Sequence, residues 1–128
     1  MQPYGLPRSC RLHLKRDFEH VIFGGKKLKY NGVVLWYTRG ENDLPVRFAV
    51  VVSRKLGPAV VRNRTKRLLR EAFRLIRKNV VSGADVIVSP RDCTRLSNLH
   101  AAQQTLKTLL VQASLLSPSS KEIKIEEL

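Results

Sequence analysis

Acidic side chains are scarce. The 128 residues hold 10 Asp and Glu against 24 Lys and Arg, for a formal charge of +14. The acids are scattered at Asp17, Glu19, Glu41, Asp43, Glu71, Asp85 and Asp92, with the remainder in the C-terminal tail. No two are spaced as a general acid–base pair, and no Ser/His/Asp grouping stands beside them. Cysteine is limited to Cys10 and Cys93, with no C-x-x-C pair, and His13, His20 and His100 are not spaced with them as zinc ligands. The expectation is therefore free thiols in a reducing compartment, with no metal held by the protein. No glycine-rich phosphate loop is present, since Gly24-Gly25 reads as a helix stop. No apolar run reaches the length of a membrane span, and the first residues do not form a signal peptide. These absences point away from a protein active site and toward a cytoplasmic binding protein.

What the chain does have is concentrated positive charge. A length of 128 residues fits one domain with its own core. A strongly basic surface gains affinity for polyanions by releasing counterions from their phosphates, so nucleic acid is the expected partner. The charge peaks between residues 53 and 78. Gly57 and Pro58 mark a helix start there. Val61, Thr65, Leu68, Leu69, Ala72 and Ile76 then recur at helical spacing as one buried stripe. Arg62, Lys66, Arg70, Arg74 and Arg77 fall on the other side, flanked by Asn63, Arg64 and Arg67. Glu71 is the one acid in this helix and reads as an ion-pair partner of Arg67 or Arg74. So many cations on one face repel one another unless a polyanion lies alongside.

The rest of the chain reads in order as follows. Residues 1–9, with Pro3, Gly5 and Pro7, form an extended lead-in, and a short helix is expected over Lys15–Phe23. Lys26, Lys27 and Lys29 follow in a basic loop that is either solvated or in contact with RNA. Val33–Thr38 and Val46–Ser53 read as strands that could pair as an antiparallel hairpin. After the basic helix come a buried strand over Ala84–Ser89 and a last helix from about Ser97, its expected N-cap, to Leu115. Residues 1–116 thus form a single domain, with 117–128 a loosely held tail. The order helix, strand, strand, helix, strand, helix gives an α+β sandwich in which helices cover a small open sheet.

A block from Val52 to Arg74 carries a family resemblance. Val52-Ser53-Arg54-Lys55-Leu56-Gly57, Ala59-Val60-Val61-Arg62-Asn63-Arg64, Lys66-Arg67 and Leu69-Arg70-Glu71-Ala72-Phe73-Arg74 resemble the signature of the bacterial ribonuclease P protein component. Outside this block the resemblance is in outline only, at Phe18–Gly25 and Val33–Thr38.

The resemblance implies the ribonuclease P protein fold, shared with the second domain of a ribosomal protein, with a left-handed crossover around the central helix. It also implies the subunit of a holoenzyme whose RNA removes the 5′ leader from precursor tRNA. Magnesium is bound mainly by the RNA, and the protein itself has no catalytic residue. By the same resemblance, Arg54, Lys55, Arg62, Asn63, Arg64, Lys66, Arg67 and Arg70 contact the catalytic RNA, and Asn63 lies near a metal-bound water. Phe18, Ile22 and Trp36 would line a cleft for the single-stranded leader. Ile22 stands where the family commonly has an aromatic, and Trp36 where it often has a tyrosine. Val50 and Val52 either line that cleft or belong to the core.

Two other classes compete. A structural ribosomal or RNA-packaging protein could use the same helix. A DNA-binding module would need a helix-turn-helix setting that the flanking strands do not offer. A membrane-surface helix ranks below both, because its apolar stripe is needed for the domain core.

Overall fold

Seven elements follow one another in a computed structural model that describes residues 15–40, 43–94 and 96–116. They are α1 (Lys15–Gly24), β1 (Lys26–Tyr30), β2 (Val33–Arg39), β3 (Arg47–Val50), α2 (Ala59–Ile76), β4 (Ala84–Pro90) and α3 (Leu99–Gln112). The expected lead-in at 1–9 and the tail at 117–128 lie outside the described residues. The strands form one open sheet in the order β1-β2-β4-β3. The β1/β2 and β2/β4 pairs are antiparallel, and β3/β4 is parallel. A parallel pair cannot be joined by a tight turn, and α2 supplies the crossover.

This corrects two expectations. Lys26–Tyr30 is a strand, not a loop, and the hairpin joins β1 to β2 rather than β2 to β3. The deciding signal is Asn31-Gly32. Both residues take positive φ, 52° and 77°, as a two-residue type I′ hairpin turn requires. Gly32 also meets the chain closely, since a Cβ there would lie 2.9 Å from the backbone oxygen of Asp92. The turn is tied to α3 by Asn31 Nδ2, which donates to Thr105 Oγ1 at 3.3 Å. The second apolar run instead pairs in parallel with β4, from Arg47↔Asp85 to Val50↔Val88.

Alternation along the strands divides the core between the two faces of the sheet. On one face Val33, Leu35, Phe48, Val50, Val86 and Val88 pack against α2 and α3. Phe48 of β3 and Phe73 of α2 stack there with ring centroids 4.0 Å apart and planes 3° from parallel. On the other face α1 buries Val21 against Ile87, with Phe18, Ile22, Trp36 and Ala49 half-buried around them. Gly25 ends α1: its N–H donates to Val21 O at 2.9 Å. A Cβ there would stand 2.4 Å from the carbonyl oxygens of both Val21 and Tyr37. Only glycine lets the chain turn from helix to strand so tightly.

α3 starts later than expected. Asn98, not Ser97, is its N-cap, accepting a hydrogen bond from the Ala101 N–H at 2.9 Å. Beyond the helix, Leu115 and Leu116 are still buried, and Leu116 bridges to Val80.

Candidate nucleic-acid interface

The buried side of α2 holds the basic side in place. Thr65, Leu69, Ala72, Phe73 and Ile76 are buried, and the Thr65 hydroxyl is satisfied by donating to Val61 O at 2.8 Å. Val61 and Leu68 are half-buried. Phe73 was missing from the expected stripe, although it follows Leu69 by one turn and carries the aromatic contact with the sheet. Pro58 occupies the N-cap position, and its carbonyl accepts from Arg62 N at 3.0 Å.

The opposite side presents the cations to solvent. Asn63, Arg64, Arg67 and Arg70 are exposed, and Arg62 and Lys66 are partly so. Two of these arginines are oriented by neutral partners. Arg62 Nε donates to Gly57 O at 3.1 Å, and Arg64 Nη2 to Ser97 O at 3.0 Å. A carbonyl fixes a guanidinium without cancelling its charge, which leaves the remaining donors free for phosphate oxygens. Arg74 differs. Its Nε and Nη2 donate to the two oxygens of Glu71 at 2.9 and 2.6 Å. That hydrogen bonding holds the Glu71 carboxyl below its usual range. Of the two partners considered for Glu71, the two-point pair is with Arg74, one helical turn away.

Arg54 and Lys55 sit just before the helix in a 3-10 turn over Arg54–Leu56. Ser53 Oγ accepts from Lys55 N at 3.0 Å, and Ser53 O from Leu56 N at 3.1 Å. The Arg62–Gly57 contact ties this turn to α2. Arg54 and Lys55 are exposed beside the first turns of the helix.

The second group of expected residues is only partly brought together. Phe18 and Ile22 of α1 and Trp36 of β2 meet on the α1 face. Val50 and Val52 do not join them. Val50 packs in the main core beside Phe48, and Val52 is half-buried against that same core. A strand has period two, so a one-residue difference in parity moves a side chain to the opposite face. The apolar β3 residue on the α1 face is Ala49. α1 is anchored there by Arg47, which donates to both Asp85 oxygens at 2.9 and 2.8 Å and to Asp17 Oδ2 at 3.2 Å. The hydrogen bond to Asp85 raises the guanidinium pKa further.

Reasoning from sequence also missed Arg91. Its guanidinium lies over the Trp36 ring, 5.9 Å from the centroid, and Lys27 Nζ lies at 5.8 Å. Parity along β4 beyond Ile87 would have placed Arg91 on that face once the sheet order was known.

Among the described residues no three His, Cys, Asp or Glu side chains gather as a metal-ligand group. Asn63 is surrounded in sequence by Arg62, Arg64 and Arg67, a setting that repels a cation. This donor set does not fit a magnesium ion held by the protein alone. Nor is any described helix long and apolar enough to cross a membrane.

Comparison with known proteins agrees with this architecture. A family model described as Ribonuclease P matches residues 6–114. The Ribonuclease P protein component of Herpetosiphon aurantiacus is 39% identical over 110 residues, covering 86% of this chain and 89% of its own. That of Gluconacetobacter diazotrophicus is 36% identical over 107 residues, covering 83% and 92%. Among solved structures, the Staphylococcus aureus RNase P protein superposes with a TM-score of 0.74 at 27% identity, covering 86% of this chain and all of its own. The Thermotoga maritima RNase P protein, in complex with 1-(4-fluorophenyl)-2-thiourea, gives 0.70 at 33%, covering 78% and 96%. Family match, relatives and fold together show that the chain belongs to the ribonuclease P protein family.

Proposed function

We propose that this chain is the RNA-binding subunit of a ribonuclease P holoenzyme that removes the 5′ leader of precursor tRNA, with the chemistry carried by the RNA subunit. The observation that carries this reading is the face of α2, where Arg62 and Arg64 are oriented by carbonyls and keep their full charge. Such a surface positions phosphates and carries no base code. Arg54, Lys55, Arg62, Asn63, Arg64, Lys66, Arg67 and Arg70 engage the catalytic RNA. Phe18, Ile22 and Trp36 take the leader, with Ala49 in the place first considered for Val50 and Val52. The contribution to magnesium is indirect. By screening phosphate repulsion, the protein lets the RNA and its substrate come together and hold their own ions productively. A DNA-reading role loses support because α2 crosses between parallel strands and is not the second helix of a helix-turn-helix.

The test is cleavage of precursor tRNA by a bacterial ribonuclease P RNA at limiting magnesium, with and without the protein. The wild type should restore cleavage and the double variant Arg62→Ala/Arg64→Ala should not. Rescue by both would move the RNA anchor away from the start of α2. Failure of the folded wild type with several such RNAs would overturn the subunit reading.

A further inference from the structure

Two of the chain's 10 acids meet beside α1. Asp17, in the first turn of that helix, and Asp85, near the start of β4, both bind Arg47, the first residue of β3. Arg47 Nε and Nη2 donate to the two Asp85 oxygens at 2.9 and 2.8 Å, and Nη1 donates to Asp17 Oδ2 at 3.2 Å. The three side chains are largely shielded, at 33% exposure for Arg47, 21% for Asp17 and 16% for Asp85. One cation against two carboxylates makes this a net negative spot in a chain of formal charge +14.

The sheet accounts for half of the cluster. Arg47 and Asp85 are register partners in the parallel β3/β4 pair, and their two-point bond pins the edge strand. Asp17 adds nothing to that pair. A carboxylate in the first turn of a helix gains from the helix dipole, but that gain needs no partner from another element. What Asp17 does is tie α1 down. The helix has ten residues, of which only Val21 is buried, and a helix so short is held by its tertiary contacts. It runs across the sheet. Its last turn is locked, because Gly25 is pressed against the carbonyls of Val21 and of Tyr37 in β2 and the chain passes directly into β1. Its middle rests on Ile87 of β4 through Val21. Its first turn is tied to β3 by Arg47. Phe18 stands next to that tie, whereas Ile22 lies one turn nearer the locked end.

We infer that Asp17 and Arg47 are positioning residues for the leader: their bond sets the tilt of α1 over the sheet, and with it the place of Phe18 relative to Trp36, without either residue touching RNA. This rests on the reading of the α1 face as the leader site. The sign of the charge separates position from contact. A carboxylate beside the path of a polyanion repels it, so an acid that served RNA only through its charge would weaken binding. An acid that holds the helix in place would strengthen it.

The test is Asp17→Ala, which cuts the tie but keeps a good helix former, the Arg47–Asp85 bond and every cation. Circular dichroism checks that the variant is folded. Holoenzymes reconstituted with wild-type or variant protein are compared for affinity to leader-bearing precursor tRNA and to mature tRNA across a salt series. In the free protein, Trp36 reports where α1 lies, since it is the one tryptophan of the chain and is half-buried in the cluster that holds Phe18. Affinity for the leader-bearing substrate should fall about fivefold, the scale of one partly shielded charged contact. Affinity for mature tRNA should stay as it was. The salt slope should also be unchanged, because no phosphate contact is removed, and acrylamide should quench Trp36 more strongly. Unchanged or tighter binding of the leader-bearing substrate by the variant would overturn the inference. So would a loss without any change at Trp36, which would make Asp17 a direct contact, and so would an equal loss with both substrates, which would leave the cluster a purely structural role. Equal affinity of the wild-type holoenzyme for the two substrates would instead remove the leader reading itself, and the positioning role with it.

Discussion

Glu71→Gln should make this protein a stronger RNA binder. The reasoning starts from the two-point bond between Glu71 and Arg74, with distances of 2.9 and 2.6 Å. Arg74 lies one turn beyond Arg70 on the basic side of α2, so its charge faces the same direction as the cations expected to meet RNA. As long as Glu71 is ionised, that charge is cancelled locally. A neutral glutamine removes one negative charge and releases one guanidinium. If a phosphate takes Glu71's place, the salt slope for binding the catalytic RNA should steepen by about 0.7 to 0.9. Over a fourfold change in salt, that is roughly a threefold larger change in affinity, with the variant ahead at low salt. The assay is equilibrium binding to a ribonuclease P RNA over a salt series. An identical slope for wild type and variant would show that RNA does not reach the last turns of α2, and the interface would have to end before Arg74.

The same pair makes a prediction about pH. The hydrogen bond from Arg74 lowers the Glu71 pKa below its ordinary value of 4.5. The folded protein therefore binds this proton more weakly than the unfolded chain does. The pair's contribution to stability is complete above the unfolded value and is lost as pH falls through the lowered folded value. Acid unfolding of the wild type should accordingly steepen below about pH 4.5 relative to Glu71→Gln, which has no proton to take up there. Identical acid limbs for the two proteins would remove the pair from the stability of the helix.

Two further substitutions separate core from interface. Phe73→Ala removes the ring stacked on Phe48 and should cost about 3 to 5 kcal/mol, read by urea or thermal unfolding; a loss below 1 kcal/mol would mean that this contact does not hold α2 on the sheet. Val50→Ala should cost about 2 kcal/mol through lost core methyls but leave the affinity of folded holoenzyme for leader-bearing substrate unchanged, and a selective loss of leader affinity would return Val50 to the cleft.

How legible this molecule was in its sequence depends on which interactions decide each feature. α2 was readable almost completely, because its buried stripe, its proline start and its charge are all local to one run of chain. Phe73 escaped because Leu69 and Ala72 already satisfied the helical period at that level. The sheet was less legible. β3 and β4 are joined only through α2, and nothing in the apolar run around Val50 says whether its partner precedes or follows it. Asn31-Gly32 was the one local signal that named a hairpin. It was obscured by the three lysines beside it, whose charge suggests a loop until the strand is seen to be an edge. The cleft suffered from the same ambiguity. Choosing Ala49 over Val50 needs the face that β3 turns to α1, which only the parallel register with β4 fixes.

That register also explains how so small a protein can offer two separate basic surfaces. The sheet is covered on one face by α2 and α3 and on the other by α1, with Arg47 binding α1 to β3 and β4 through Asp17 and Asp85. In that network and in the Glu71–Arg74 pair, acids neutralise cations. Elsewhere the excess charge of +14 must be distributed over a surface that repels itself. Placing one group on α2 and another at the β1 edge, with the apolar sheet between them, lowers that repulsion while both remain available. A rigid body that presents α2 on one face of its sheet and α1 on the other can hold two segments of RNA at a fixed separation. A single basic helix of the same charge would hold one segment more tightly and fix no geometry. The arrangement therefore favours positioning over affinity, in keeping with the proposed RNA-binding role.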